Sequence, residues 1–225
     1  MGERVAAITG GHGALGRAVV EAALTAGWTV AVIDHASGHA VPEGVLEVGG
    51  VDLTDPAQAK GAIDAVIARF GRLDALLNIA GGFVWSPVEG DGDAFERMHA
   101  LNVKTTLNAS RAALPHLKAS AEGRIVNVGA NGAVKAGHGM GAYAASKAGV
   151  HRLTEALAEE LKSTSVTVNA VLPSIIDTAA NRADMPDADP KKWVAPADLA
   201  AVILFLASPE ARAVTGALIP VTGKV

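Results

Sequence analysis

Two residues four apart, Tyr143 and Lys147, carry the most distinctive chemistry in this sequence of 225 residues. Tyr143 is its only tyrosine. On a helix, side chains at i and i+4 share a face, so the phenol and the ammonium would stand together. A free phenol titrates near ~10 and is a poor acid–base group at neutral pH, whereas a nearby ammonium stabilises the phenolate. The spacing alone also describes an ordinary surface pair. What sets it apart is its small-residue setting, Gly139-Met140-Gly141-Ala142-Tyr143-Ala144-Ala145-Ser146-Lys147-Ala148-Gly149. A helix with sides this small can pack closely on a partner and on a ligand.

A second candidate is the turn Thr9-Gly10-Gly11-His12-Gly13-Ala14-Leu15-Gly16 near the N-terminus. Glycines between a strand and a helix let the backbone turn tightly and approach a pyrophosphate, and the helix start supplies free N–H donors. The alternative is an ordinary tight turn. Asp34 follows Gly16 by eighteen residues, at the end of the next strand-like run. A carboxylate there can accept both ribose hydroxyls of an adenosine and would repel a 2′-phosphate. No Arg follows it, so the expected cofactor is NAD(H), with NADP(H) the weaker choice; a strand-end turn is the plainer reading of Asp34. Asp52, after a third run, is placed to hold an adenine amino group or to cap a helix.

The elements that must position these residues alternate. Strands are expected at Arg4–Thr9, Thr29–Asp34, Val45–Val48, Leu73–Ile79, Arg124–Gly129, Val166–Leu172 and Ala217–Thr222. Between them lie helical patterns at Ala14–Ala26, Pro56–Phe70, Asp93–Ser120, Gly141–Lys162 and Ala197–Ala207. The second starts from an Asp55 cap with Pro56 at its first position. The third is expected to break near Asn102, with Pro115 marking a kink or an end. Such alternation implies an α/β fold, a doubly wound parallel sheet of about seven strands in the order 3-2-1-4-5-6-7. Continuous apolar strands agree with a sheet covered on both faces. One domain is expected over residues 1–225. The polar stretch at about 174–195 is longer than a connection needs and reads as a substrate lid, or else as disordered.

Composition narrows the function classes. Nineteen Lys and Arg against 23 Asp and Glu leave a formal charge of −4, which argues against a nucleic-acid partner. The longest apolar run, Leu199–Ala207, is nine residues, half of the ~18 a membrane span needs. No apolar signal region follows the N-terminus, and Ala6 stands where a myristoylation motif needs Ser or Thr. The expected setting is the cytoplasm. Zero Cys excludes disulfides and thiolate chemistry. The seven His, at 12, 35, 39, 99, 116, 138 and 151, show no metal-ligand spacing, so no metal is expected.

Taken in order, the Gly-rich turn, Asp34, Asp52, Asn78-Ile79-Ala80-Gly81, Asn102, the Tyr143/Lys147 pair and Pro173-Ser174-Ile175-Ile176-Asp177-Thr178 resemble the short-chain dehydrogenase/reductase family over essentially the whole chain. The resemblance implies a nicotinamide-dependent oxidoreductase of Rossmann type. Gly10, Gly13, Gly16 and the Leu15 backbone would cradle the pyrophosphate, Asp34 would bind ribose, and Asp52 with Leu53 would bind adenine. Asn78, Ala80 and Gly81 would floor the cofactor site. Tyr143 would move the proton, and Lys147 would hold the nicotinamide ribose and lower the Tyr143 pKa. Asn102 would anchor a water relaying protons to Lys147, and Pro173, Ile176 and Thr178 would meet the carboxamide. The Ala/Leu stripe of Ala148–Leu161 would serve a homodimer or homotetramer.

Three positions depart from the family pattern. Ala14 stands for the middle Gly of the phosphate loop, and Ile79 for a second Asn. Ala130 stands thirteen residues before the Tyr, where the family has its substrate-binding Ser. No Ser or Thr occurs anywhere in 121–145, and Asn131 is the nearest polar side chain. Losing one donor to a developing oxyanion costs ~10²–10³ in rate. The chain is then a specialised enzyme, a weak one, or a cofactor-binding homologue with little catalysis. In the Gly-Gly-x-Gly-Ala-Leu-Gly loop, the Ala-Gly-Gly after the fourth strand and the missing Ser, it is similar to the dihydropteridine reductase subgroup, whose substrate is a quinonoid pterin. Other small carbonyl, quinone or alcohol substrates stay open. Phe83, Val84, Trp85, His138, Met140, Met185 and Trp193 are expected to line the pocket with Ala130 and Asn131. Trp85 either stacks on a flat ring or packs its own loop.

Overall fold

A computed structural model describes residues 4–225. Seven strands form one sheet: β1 (Val5–Thr9), β2 (Thr29–Ile33), β3 (Leu46–Val48), β4 (Ala75–Asn78), β5 (Arg124–Val128), β6 (Thr167–Pro173) and β7 (Leu218–Val221). Their order is β3-β2-β1-β4-β5-β6-β7, and every pair is parallel. The order reverses between β1 and β4, where an open α/β sheet leaves a crevice beyond its strand ends. β1, β4, β5 and β6 are buried throughout, which explains their mostly apolar sequences, and the polar residues they carry, Thr9, Asn78, Arg124, Asn127, Thr167 and Asn169, are buried with them.

Seven helices cover the faces: α1 (Ala14–Thr25), α2 (Pro56–Phe70), α3 (Ala94–Met98), α4 (Thr105–Ala119), α5 (Gly141–Glu160), α6 (Ala179–Asp184) and α7 (Pro196–Ala207). One apolar core joins α2, α4 and α5 to the sheet around Ile63, Leu76, Leu117 and Ile125. The other joins α1 and α7 around Ile8, Val19, Leu77 and Ile203. α2 shows how sharply local sequence sets a boundary. Asp55 accepts hydrogen bonds from the N–H groups of Ala57 and Gln58, Pro56 opens the helix, and Gly71 closes it in the left-handed region at φ 75°.

Two expectations need correction. The helical stretch does not break near Asn102; a π-helical segment, His99–Lys104, joins α3 to α4. Nor does Pro115 end α4, which runs on to Ala119. Pro115 lies on the exposed side of the helix, where water can satisfy the carbonyl its ring displaces. The stretch 174–195 is ordered, not structureless. Thr178 caps α6 by accepting from the Asn181 N–H at 3.2 Å. An isolated parallel bridge between Ile176 and Val194 ties its two legs together. Among the described residues no helix is long and apolar enough to cross a membrane.

Candidate active site

A cleft of about 1410 Å³ opens at the carboxyl ends of the strands, with the Gly-rich turn at one end and Tyr143, Met140 and Met185 at the other. The turn is built by backbone contact. Gly10 takes φ +68°, and a Cβ there would come within 2.8 Å of Ala80. A Cβ on Gly16 would overlap the Gly10 carbonyl. Ala14, in place of a Gly, costs nothing, because it opens α1 with its methyl exposed. Thr9 closes the other side: its Oγ1 accepts from the N–H groups of Ile79 and Ala80 at 3.1 Å each. The first turn of α1 has neither a side-chain cap nor an acidic residue. Uncapped N–H groups at a helix start, lining a cleft through Gly13, Ala14, Leu15 and Gly16, fit a dinucleotide's phosphates.

Asp34 lines the cleft at the end of β2. Its Oδ2 accepts from the His12 N–H and its Oδ1 from the Ala36 N–H, both at 3.0 Å, so the carboxylate is already aimed. Behind it, His12 Nε2 and Glu47 Oε1 lie 3.0 Å apart. Of the two readings of Asp52, the helix cap is not its role. It lines the cleft beside Leu53, and its Oδ1 accepts from Thr54 N and Oγ1, which holds its carboxyl below the usual range. The adjoining helix cap is Asp55.

At the other end, Lys147 is buried on α5, and its Nζ donates to the Val128 carbonyl at 2.8 Å. Tyr143 stands one turn earlier, its ring edge-on to Phe83 with centroids 4.9 Å apart. The expected lowering of the Tyr143 pKa does not occur. Burial pushes the phenol up to about 12 and the Lys147 ammonium down to about 8, because desolvation disfavours the charged form of each. Tyr143 therefore holds its proton at neutral pH.

Asn102 is held by protein partners. It is fully buried, and its side chain is spent on protein: Nδ2 donates to Gly82 O at 3.0 Å and Ser146 Oγ at 2.9 Å, while Oδ1 accepts from Gly82 N at 3.0 Å. Its carbonyl accepts from Thr106 Oγ1 at 2.8 Å. The π-helical turn thus points the Asn102 side chain at the Gly82 backbone. A Cβ on Gly81 would meet Asn102 Oδ1 at 2.5 Å and Lys147 Nζ at 3.3 Å, so glycine lets the strand-end loop slip between them. Asn78 is a second correction. It lies beneath the floor, buried, with Nδ2 donating to Ser110 Oγ and Asn127 Oδ1 at 3.1 and 2.9 Å. Its side chain faces the helices because the register beside Thr9 turns it away from the cleft.

The remaining expected residues Ala80, Gly81, Phe83, Trp85, Ala130, Asn131, His138, Met140, Pro173, Ile176, Thr178 and Met185 all line the cleft. Trp193 does not. It is buried at the end of the 174–195 segment, where the chain end around Gly223 packs on its backbone. Phe83 and Trp85 are more than half exposed at the rim. Trp85 also packs its own loop: its indole lies over Gly139 and donates to the His138 carbonyl at 3.0 Å. The Ala/Leu stripe of α5 is partly absorbed within the chain, since Leu157, Ala158 and Leu161 are core residues and Leu153 only half-buried.

Sequence reasoning passed over Thr9, Ser146 and His151. His151 was legible as the third residue of a series, at i, i+4 and i+8 with Tyr143 and Lys147, and the structure buries it against Ala130. Thr9 and Ser146 carried no such signal, since their partners come from distant segments.

The pattern of the short chain dehydrogenase family matches residues 4–189. The chain is 33% identical to 2-(S)-hydroxypropyl-CoM dehydrogenase 3 of Xanthobacter autotrophicus, over 97% of this chain and 95% of that protein. It is similar in structure to a 3-ketoacyl-(acyl-carrier-protein) reductase from Brucella melitensis complexed with NADH, at TM-score 0.86 and 26% identity, covering 99% and 98% of the two chains. The fold also matches ElxO with NADP bound, at TM-score 0.90 and 24% identity, with 99% and 98% covered.

Proposed function

The chain belongs to the short chain dehydrogenase family, and from that premise we propose that it reduces a flat, conjugated substrate, a quinonoid dihydropteridine before a simple ketone, using NADH. The observation that carries this reading is the pocket floor at Ala130. A methyl stands where a hydroxyl would serve an oxyanion, and the Ala130 N–H is already given to His151 Nε2 at 3.2 Å. A ketone gaining hydride develops an oxyanion and needs such a donor. An electron-poor conjugated ring takes the hydride without forming a tetrahedral oxyanion, and its nitrogen needs only a proton.

The nicotinamide, when bound, supplies the hydride. The rest is done by this chain. The α1 N-terminus and the glycine backbone hold the phosphates, and Asp34 receives the ribose hydroxyls. Tyr143, protonated at neutral pH through its burial, donates its phenolic proton to the substrate nitrogen. Lys147, one turn along the same helix face and pushed down to about 8, holds a proton it can release in the physiological range. Phe83, Trp85 and Met140 give a flat ring apolar and aromatic faces, and the α6 segment closes the far side with Met185. Asp34 supports NAD(H) over NADP(H). Half-buried Leu153 together with exposed Phe95 and Leu101 supports a homodimer or homotetramer.

A second reading, a small alcohol or carbonyl substrate, is supported by the name of the Xanthobacter relative, a dehydrogenase of a hydroxypropyl group. The deciding experiment follows NADH oxidation against a quinonoid dihydropteridine, quinones, diketones and acyl thioesters. Turnover fastest on the pterin supports the proposal. Turnover confined to diketones or thioesters overturns it in favour of the second reading. NADH binding with no turnover of any acceptor leaves a cofactor-binding homologue with little catalysis.

A further inference from the structure

Tyr143, Lys147 and His151 occupy i, i+4 and i+8 of α5 and share one face of it. Two of them grip the end of β5. Lys147 Nζ donates to the Val128 carbonyl at 2.8 Å, and His151 Nε2 accepts from the Ala130 N–H at 3.2 Å. Gly129 lies between these contacts. A Cβ there would stand 2.5 Å from His151 Nε2 and 3.2 Å from a Leu172 methyl. Gly129 is thus the residue that admits the imidazole beneath the strand end. Its φ is not positive, so the requirement for glycine is one of space.

The direction of the bond sets the chemistry. A backbone N–H only donates, so Nε2 must carry a lone pair and the ring proton must sit on Nδ1. We propose that His151 is a positioning residue: its neutral imidazole, seated in the space left by Gly129, ties down the Ala130 N–H and holds the Gly129–Ala130 backbone as a floor with no hydrogen-bond donor beneath the substrate. The pocket thereby lacks both the side-chain donor that Ala130 removes and the backbone donor at the same position. Its specificity for a substrate that forms no oxyanion is built from α5 as well as from Ala130 itself. This inference rests on the reading that Tyr143 and Lys147 transfer protons in this cleft.

Protonation would undo the arrangement, because Nε2–H would then point at the Ala130 N–H, donor against donor. The groups around the ring oppose protonation. Lys147 and Arg152 of α5 are cationic, Gly129 and Ala130 of the β5 end carry no charge, and Leu172 of β6 is apolar. Burial, aided by the two cations, lowers the His151 pKa. A base with a lowered pKa keeps its contribution above its unfolded value of ~6.5 and loses it as the pH falls through the folded value. The floor is therefore intact at neutral pH and released in acid.

The test begins with ¹⁵N NMR of the full chain, which needs no substrate. The expected result is the Nδ1–H tautomer of His151, with an imidazole midpoint below ~6.5 tracked by the Ala130 amide shift. An Nε2–H tautomer at neutral pH, or an Ala130 amide indifferent to the His151 titration, overturns the proposal. The second arm measures NADH oxidation with quinonoid dihydropterin as the probe. His151→Leu should lower kcat/KM by about 10–100-fold through misplacement of the floor. Its Kd for NADH should stay within about twofold, since no nucleotide contact is lost. His151→Gln, whose carboxamide oxygen can accept from Ala130, should stay within about fivefold of the parent, the worth of one neutral hydrogen bond. His151→Gln failing as badly as His151→Leu would reduce the residue to packing and overturn the proposal. If the parent does not turn over the pterin, the functional reading fails, and the NMR arm still decides the role of His151.

Discussion

The two ends of the cleft are built by different means. The nucleotide end is made of backbone: Gly10 against Ala80, Gly16 against Gly10, and an Asp34 carboxylate aimed by two N–H groups. Little there depends on which side chains surround it. The substrate end is made of side chains and exchangeable segments: Phe83 and Trp85 exposed at the rim, the 174–195 segment joined by one isolated bridge, and Ala130 over a buried histidine. Apart from the glycines that must stay side-chain-free, such backbone geometry tolerates divergence because most residues bring the same N–H and C=O, which fits a family pattern kept at 33% identity. Side-chain chemistry does not average in this way. On our proposal, one atom at position 130 separates substrates that need a donor from those that do not.

Several changes would break or sharpen that contrast. Tyr143→Phe strikes the proton donor and should lower kcat by about 10²–10⁴ on any substrate that turns over, while the Kd for NADH, read by fluorescence, hardly moves. An unaffected rate would remove Tyr143 from the mechanism and make the substrate end a binding surface only. Ala130→Ser restores the missing hydroxyl. It should raise ketone turnover by about tenfold or more and leave pterin turnover flat, given the ~10²–10³ worth of such a donor. A gain on both would show that the pterin also needs the donor. Asp34→Ala tests the other end. It removes the ribose acceptor and the anchor of the His12 N–H, and should weaken NADH by about tenfold, the worth of a charged hydrogen bond, while NADPH binding rises. Equal affinities of the parent for NADH and NADPH would remove Asp34 as a determinant and leave only backbone at that end.

The pH dependence of the substrate end follows from two shifts of opposite direction. Tyr143, raised to about 12, stays protonated throughout the working range and sets no limb there. Lys147, lowered to about 8, loses its charge as the pH rises through that value, so the rate of reduction should fall on the alkaline side.

The nucleotide end was largely legible in the chain. The glycine turn, Asp34 and the strand order follow from local spacing, because a glycine-rich strand–helix turn and alternating apolar runs have few other solutions. α2 was readable to the residue, since Asp55, Pro56 and Gly71 act on their immediate neighbours. The misreadings concern long-range partners. Asn78 and Asn102 look like site residues, yet their amides are spent on Ser110, Asn127, Ser146 and Gly82. Trp193 looks like a pocket aromatic but is buried away from the cleft.

What the sequence determined by itself was the architecture and the set of candidate reacting groups, because both depend on residue type and on spacing within a few turns. Only the tertiary structure decided their electrostatics and their aim. Pairing Tyr143 with Lys147 in sequence promised a lowered phenol pKa, and burial, which only the folded chain sets, pushes it up instead. Likewise, Gly129 and His151 are unremarkable twenty-two residues apart. They become one device only when α5 packs on the end of β5 and leaves a space that a glycine alone can give to an imidazole.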